Sequence, residues 1–342
     1  MRVGLYDDPV FLEHDAGAGH PERPQRLTAL RDGIRRSGLE VRVELLAPRD
    51  ATREELRRVH TAEHIAAIAA TAGGTRQFDA DTQAGPHSYA AALKAAGAVT
   101  DAVERVLDGR LDRAFCLVRP PGHHAEADRA MGFCLFNNVA VAAAHALARG
   151  RSRVAIIDFD VHHGNGTQHT FESDRRVLYV SSHAYPFYPG TGALAETGHG
   201  EGRGFTVNLP LPAGMGDREY ARIYRDVVEP IGRAFDADLV LVSAGFDAFG
   251  GDPLAPMALT ASGYSELAAV CLAIAAGAAQ GRAVFVLEGG YDLRGLAASG
   301  AAVMRALLGD PAPTVVPTGT VLDPLIAEYR RALQPYWPIL RG

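Results

Sequence analysis

The chain's 342 residues, 47% hydrophobic and 22% charged, give length enough for a substantial buried core and the composition of an ordinary globular protein. A formal net charge of −6 with no basic run argues against sequence-independent nucleic-acid binding, so no nucleic-acid partner is expected. Cys116, Cys134 and Cys271 form no CxxC pair and no apolar run reaches about 18 residues, so a reducing, cytoplasmic location with neither signal peptide nor membrane span is expected.

In chain order, apolar runs rich in strand-forming residues stand at 2–6 (RVGLY), 41–46 (VRVELL), 113–118 (RAFCLV), 153–158 (RVAIID), 176–182 (RVLYVSS), 205–211 (FTVNLPL), 237–244 (ADLVLVSA) and 282–290 (RAVFVLEGG). Their apolarity is continuous rather than alternating, which predicts strands covered on both faces, as in a parallel sheet. Amphipathic or Ala-rich stretches near 24–37, 61–72, 88–108, 138–149, 217–235, 260–280 and 292–308 predict the intervening helices. The alternation predicts a three-layer α/β/α sandwich with a mainly parallel central sheet. No linker, low-complexity tract or repeat interrupts it, so residues 1–342 are expected to form a single domain. The irregular stretches 8–23, 73–87, 119–133, 183–204 and 245–257 are too many and too glycine-rich to be mere connections and are candidate site loops.

Ligands of open α/β sheets bind beyond the carboxyl ends of the strands. Four such ends carry unusual residues: RPPGHHAE (119–126), DFDVHHGNG (158–166), SAGFDAFGGDP (243–253) and LEGGYD (287–292). Asp158, Asp160 and His162 alternate, and an extended backbone would turn all three to one side. With Asp247 from another strand end, Asp160 and His162 make a carboxylate–imidazole–carboxylate set that leaves a position open, the layout of a catalytic zinc site. His123 and His124 could supply the base and acid that hydrolysis needs, with Asp158 and Asn165 as the partners that fix their tautomers. Tyr291 follows Gly289 and Gly290, a turn flexible enough to bring a phenol against a developing oxyanion. Two short patterns are set aside. HTAEH (60–64) fits H-x-x-E-H, but no later acidic helix completes a peptidase site, and GEGRG within 200–204 precedes a strand instead of opening a helix.

Together with GAGHPERPQRL (17–27), these motifs resemble the histone deacetylase superfamily, which includes acetylpolyamine amidohydrolases and acetoin-utilisation proteins and shares the arginase-like fold. The likeness spans nearly the whole chain; GHPERPQRL and the Asn of HHGNGT are most similar to the class II type and its bacterial relatives. It implies one catalytic zinc ion on Asp160, His162 and Asp247, with Tyr291 as catalytic tyrosine and His124 as general base. His123 is then the second histidine, assisted by Asp158, and Asn165 stands where some members have Asp. Phe133 and Tyr188 match the aromatic walls of an acyl-lysine channel, with Gly132, Gly289, Gly290 and Leu254 beside it and Arg26 below its floor. Structural potassium would use the backbone of Asp158, Asp160 and His162 with Ser181 and Ser182, and a second set at Phe171, Asp174, Val177 and Phe205.

The activity implied is zinc-dependent removal of an acetyl or other acyl group from an amine, releasing acetate. Acetylpolyamine members narrow the entrance with an acidic gate or a long dimer-forming insertion. Here the gate position holds Leu254 and the 73–87 loop is short, which favours Nε-acyl-lysine in a peptide or protein, or another small acylated amine. Asp79 and Asp81 could hold a substrate backbone or a cationic amine at the rim. A binuclear manganese ureohydrolase of the same fold would need Asp where this chain has Gly164 and Phe249. A non-catalytic acyl-lysine binder would not need Tyr291, His123 and His124. The oligomeric state stays open.

Overall fold

The computed structural model describes residues 1–341. Its strands are Val3–Tyr6 (β1), Glu44–Leu46 (β2), Arg76–Gln77 (β3), Gln83–Ala84 (β4), Arg113–Cys116 (β5), Val154–Asp158 (β6), Val177–Ala184 (β7), Thr206–Leu211 (β8), Leu239–Ala244 (β9) and Ala283–Leu287 (β10). Apart from the small antiparallel hairpin β3–β4, they form one sheet in the order β2-β1-β5-β10-β9-β6-β7-β8, in which every pair is parallel. All residues of β6, β7, β9 and β10 are buried, as continuous apolar runs require. The strand order changes direction three times, at β1, β10 and β6, and the register sets Asp158 beside both Ser181 and Ser243, so β6 and β9 end within one residue of each other while β7 runs on to Ala184.

The helices are Gln25–Arg36 (α1), Arg53–Leu56 (α2), Ala62–Ala69 (α3), Ser88–Leu107 (α4), Asn138–Ala148 (α5), Asn165–Phe171 (α6), Asp217–Ile223 (α7), Glu229–Phe235 (α8), Ala261–Ala275 (α9), Leu293–Leu307 (α10) and Asp323–Leu333 (α11). α4 packs with α5, whereas α1, α10, α9 and α7 pack in series, and both groups touch the sheet. The result is the expected three-layer α/β/α sandwich. None of these helices is long and apolar enough to cross a membrane, and all three cysteines are buried and unpaired.

Three local differences have plain causes. The helix expected over 217–235 is interrupted by a π turn at Tyr224–Val228, just ahead of Pro230, which has no N–H to give to the preceding turn. The glycine-rich stretch after His163 winds into the short helix α6, with Gly164 at its start. Helix α11 lies beyond the last helix expected; Ile326, Tyr329 and Leu333 turn inward at helical spacing.

Candidate active site

The loops that leave β5, β6, β9 and β10 meet at one point. His162 Nδ1 lies 3.2 Å from Asp160 Oδ1 and 3.0 Å from Asp247 Oδ2, and one donor atom from each residue falls within 4.8 Å of the others. Ligand atoms around a tetrahedral zinc ion, bound at about 2.0–2.1 Å, stand roughly 3.4 Å apart, so both His162 distances are close to those around such an ion and the donor set suits it. The remaining carboxylate oxygens are anchored by backbone: Asp160 Oδ2 accepts from Gly289 N at 2.8 Å, and Asp247 Oδ1 from Val161 N at 2.8 Å. Gly289 is required here, because a Cβ would come within 2.1 Å of Asp247 Oδ2. Burial opposes charge on His162, yet Asp247 and Asp160 outweigh it and push the imidazole up to about 10. Burial and the facing Asp160 push Asp247 up to about 7, a pair of buried carboxylates suited to a cation.

Asp158 does not join this set. After β6 the chain bends rather than staying extended, since Asp158 Oδ1 accepts from Asp160 N (3.1 Å) and Asp160 Oδ1 from His162 N (2.9 Å). The bend turns Asp158 Oδ2 to His123 Nδ1 at 3.1 Å, with the Tyr179 hydroxyl also 3.1 Å away. His123 is buried, but Asp158 and Asp160 outweigh burial and raise it to about 10. His124 lies against it, ring centres 4.0 Å apart, and goes the opposite way: burial, His123 and His162 hold it well below the ordinary value. Its Nδ1 donates to Asn165 Oδ1 at 2.8 Å. Adjacent histidines thus take separate partners, one ionic and one neutral.

Tyr291 sits on a turn that is clamped, not flexible. Arg26, fully buried, donates from Nε to Gly290 O at 2.6 Å and from Nη2 to Glu288 O at 2.5 Å. Asp252 Oδ2 accepts from Tyr291 N (2.6 Å) and Asp292 N (3.1 Å), and the Asp292 side chain caps α10. Burial raises the Tyr291 hydroxyl well above its ordinary value, so it stays a proton donor at neutral pH. Arg26 therefore stands behind the tyrosine, its guanidinium carbon 4.8 Å from the ring centre, instead of lining the cavity.

The cavity over this floor holds about 220 Å³ and is walled by Phe133, Tyr188, Leu254 and Gly132. Tyr188 meets His124 edge-on at 5.1 Å, and Phe133 meets Tyr291 edge-on at 5.9 Å. Phe133 holds a left-handed φ of 69°, and Gly132 before it has φ 56° with room for no Cβ beside His124. Asp81 lines the mouth; Asp79 does not, and instead accepts from Asp81 N at 3.0 Å. Gly290 lies in the clamped turn behind. Of the expected potassium positions, the Phe171, Asp174 and Phe205 carbonyls each accept one backbone N–H, from Asp174, Val177 and Tyr179. Ser181 and Ser182 are buried on β7 beside the end of β6.

Sequence reading missed four supporting acids: Glu22, Glu126, Asp252 and Glu288. Glu288 accepts from Gly122 N and His123 N, holding the histidine loop to β10. HTAEH is structural: His60 and His64 bond the backbone at Glu126 and Leu135, respectively.

Comparison with known proteins matches this assembly. Residues 20–307 match the family described as Histone deacetylase domain. The chain is 43% identical to Histone deacetylase 15 of Arabidopsis thaliana over 94% of this chain and 59% of that one. It is 40% identical to a Probable deacetylase of Archaeoglobus fulgidus over 86% and 83%, and 42% identical to human Polyamine deacetylase HDAC10 over 98% and 51%. It therefore spans only about half to three fifths of the plant and human relatives. The crystal structure of the HDA15 HD domain superposes with a TM-score of 0.93 at 40% identity, covering 99% of this chain and 96% of that one. By sequence and by fold, the chain belongs to the histone deacetylase family.

Proposed function

We propose that this protein is a zinc-dependent amidohydrolase that removes an acetyl or other acyl group from Nε-acyl-lysine in a peptide or protein. The observation that carries the reading is the cavity floor, where Asp160, His162 and Asp247 present three donors within 4.8 Å beside His124 and Tyr291. One zinc ion held there would polarise the amide carbonyl and acidify the attacking water. His124, its Nδ1 proton directed to Asn165, offers Nε2 to the water proton as oxygen attacks the carbonyl carbon. The Tyr291 hydroxyl donates to the oxyanion, and the proton on His124 passes to the amine nitrogen as the C–N bond breaks, leaving acetate. His123, its Nδ1 3.1 Å from Asp158 Oδ2, is held in place beside the reacting atoms by that carboxylate, which favours its charged form. The potassium ions are proposed at the two backbone sets given above; in the second, the Phe171, Asp174 and Phe205 carbonyls keep a second lone pair after accepting one N–H.

Among the described residues Asp160, His162 and Asp247 are the only group at this floor close enough together to share an ion, and Gly164 and Phe249 stand where a second would need carboxylates, which favours one ion over a bridged manganese pair. Metal analysis of zinc-loaded protein is expected to return one zinc per chain; two manganese per chain would reverse the choice. The apolar Leu254 wall favours acyl-lysine over acetylpolyamine. The deciding experiment is a turnover panel of acetyl-lysine peptide, acetylputrescine, acetylspermidine and longer acyl-lysines. Fastest turnover of the peptide is expected, preference for acetylspermidine overturns the substrate assignment, and no acetate release from any of them removes the catalytic one. Leu254→Glu should shift the kcat/KM ratio about tenfold towards acetylspermidine, the size of one partly screened charge pair.

A further inference from the structure

A side-chain amide has two ends of nearly the same shape, so something must decide which end of Asn165 faces His124. Asn165 Oδ1 lies 2.8 Å from His124 Nδ1, while Nδ2 points away, to Glu126 Oε1 at 2.5 Å and to the His124 carbonyl at 3.3 Å. An ionised carboxylate can only accept, so Glu126 takes the amide N–H and repels the amide oxygen. With the amide turned this way, His124 Nδ1 carries the proton and Nε2 keeps its lone pair for the cavity. Reversed, Nδ2 would face Nδ1 and drive the proton to Nε2, where the imidazole has no base to offer.

Glu126 is itself held on every side. His169 Nδ1 lies 2.9 and 3.0 Å from its two carboxylate oxygens, its backbone N–H donates to Arg129 O at 2.9 Å, and its carbonyl accepts from His60 Nδ1 at 2.9 Å. The His60–Ala70 segment thus buttresses the histidine loop, a second tie running from Thr61 N to Ala127 O at 2.8 Å.

We infer that Glu126 is a positioning residue that fixes the orientation of the Asn165 amide and, through it, the tautomer of His124. Its effect on turnover rests on the proposed hydrolysis; its effect on the tautomer does not. An aspartate at position 165 accepts from His124 Nδ1 whichever way it is turned, and so has no need of Glu126. The test is therefore E126A made with Asn165 and again with N165D, each compared with its own parent. With Asn165, E126A should lower kcat about tenfold with KM within about twofold; with N165D it should cost less than about twofold. E126Q, whose side-chain oxygen can still accept from Nδ2, should return to within about threefold of the parent. Nitrogen-15 histidine spectra of the same variants should find His124 as the Nδ1–H tautomer in the parent, mixed in E126A and Nδ1–H again in N165D/E126A. Equal kcat losses in both backgrounds, or an unchanged tautomer in E126A, would overturn the inference. A parent protein inert on the whole substrate panel would instead remove the proposed function, and the spectra would still decide the case of Glu126.

Discussion

Tyr291→Phe is expected to lower kcat on acetyl-lysine peptide by about 10² to 10³, with KM moved far less, the cost of losing one preorganised oxyanion donor. The clamped turn is the reason to expect the upper part of that span. Arg26 fixes the Glu288 and Gly290 carbonyls and Asp252 fixes the Tyr291 and Asp292 amides, so the phenol pays little to reach its working position. Phenylalanine keeps the ring against Phe133 and the Arg26 guanidinium, and only the donor is lost. The check is steady-state acetate release from zinc-loaded protein, with circular dichroism and thermal melts matching the parent. Turnover unchanged by the substitution would take Tyr291 out of the reaction.

How much of this was legible beforehand depended on whether a residue's meaning is local. Seven of the eight sheet strands could be read because burial writes a nearly unbroken apolar run into each one, whereas β2 is a largely exposed edge strand that keeps only 44–46 of the expected 41–46, Glu40–Arg42 winding into a short 3-10 turn. Asp160, His162, Asp247, His123, His124 and Tyr291 could be read because strand ends of an open sheet gather chemistry at one edge. The direction of Asp158 could not, since it follows from two side-chain-to-backbone bonds that bend the loop after β6. Glu126, Asp252 and Glu288 were invisible for another reason. Each is a single acid whose partners lie 39 to 166 positions away, and sequence gives the residue type without the partner. Glu22 left one trace, its four-residue spacing from Arg26, but Arg119 is 97 positions distant.

That Glu22 cluster is where the largest loss of stability is expected. Its carboxylate, fully buried, accepts from Arg119 Nε and Nη2 at 2.6 Å each and from Arg26 Nη1 at 2.8 Å. Arg119 spends its other donors on the Phe11 and His14 carbonyls. Glu22→Gln keeps the volume but leaves two buried guanidinium ions without a counter-charge, at a cost of about 3–5 kcal/mol. With an unfolding entropy of about 2 cal/mol/K per residue over 342 residues, Tm should fall by roughly 4–7 °C. Urea titration of parent and variant at pH 7 measures the loss, and a difference under about 1 kcal/mol would mean that Glu22 is replaceable. Burial alone would raise the Glu22 carboxyl, but Arg119 and then His14 and Arg26 hold it far below the usual carboxylate range. A depressed folded value means stability that is fully present above the unfolded value near 4.3 and is lost as pH falls towards the folded one. The parent–variant gap should therefore be flat from about pH 5 to 8 and close below about pH 4.3. Because Arg26 also grips the carbonyls before Tyr291, the same substitution should loosen the catalytic turn, and kcat should fall at temperatures well below the melt.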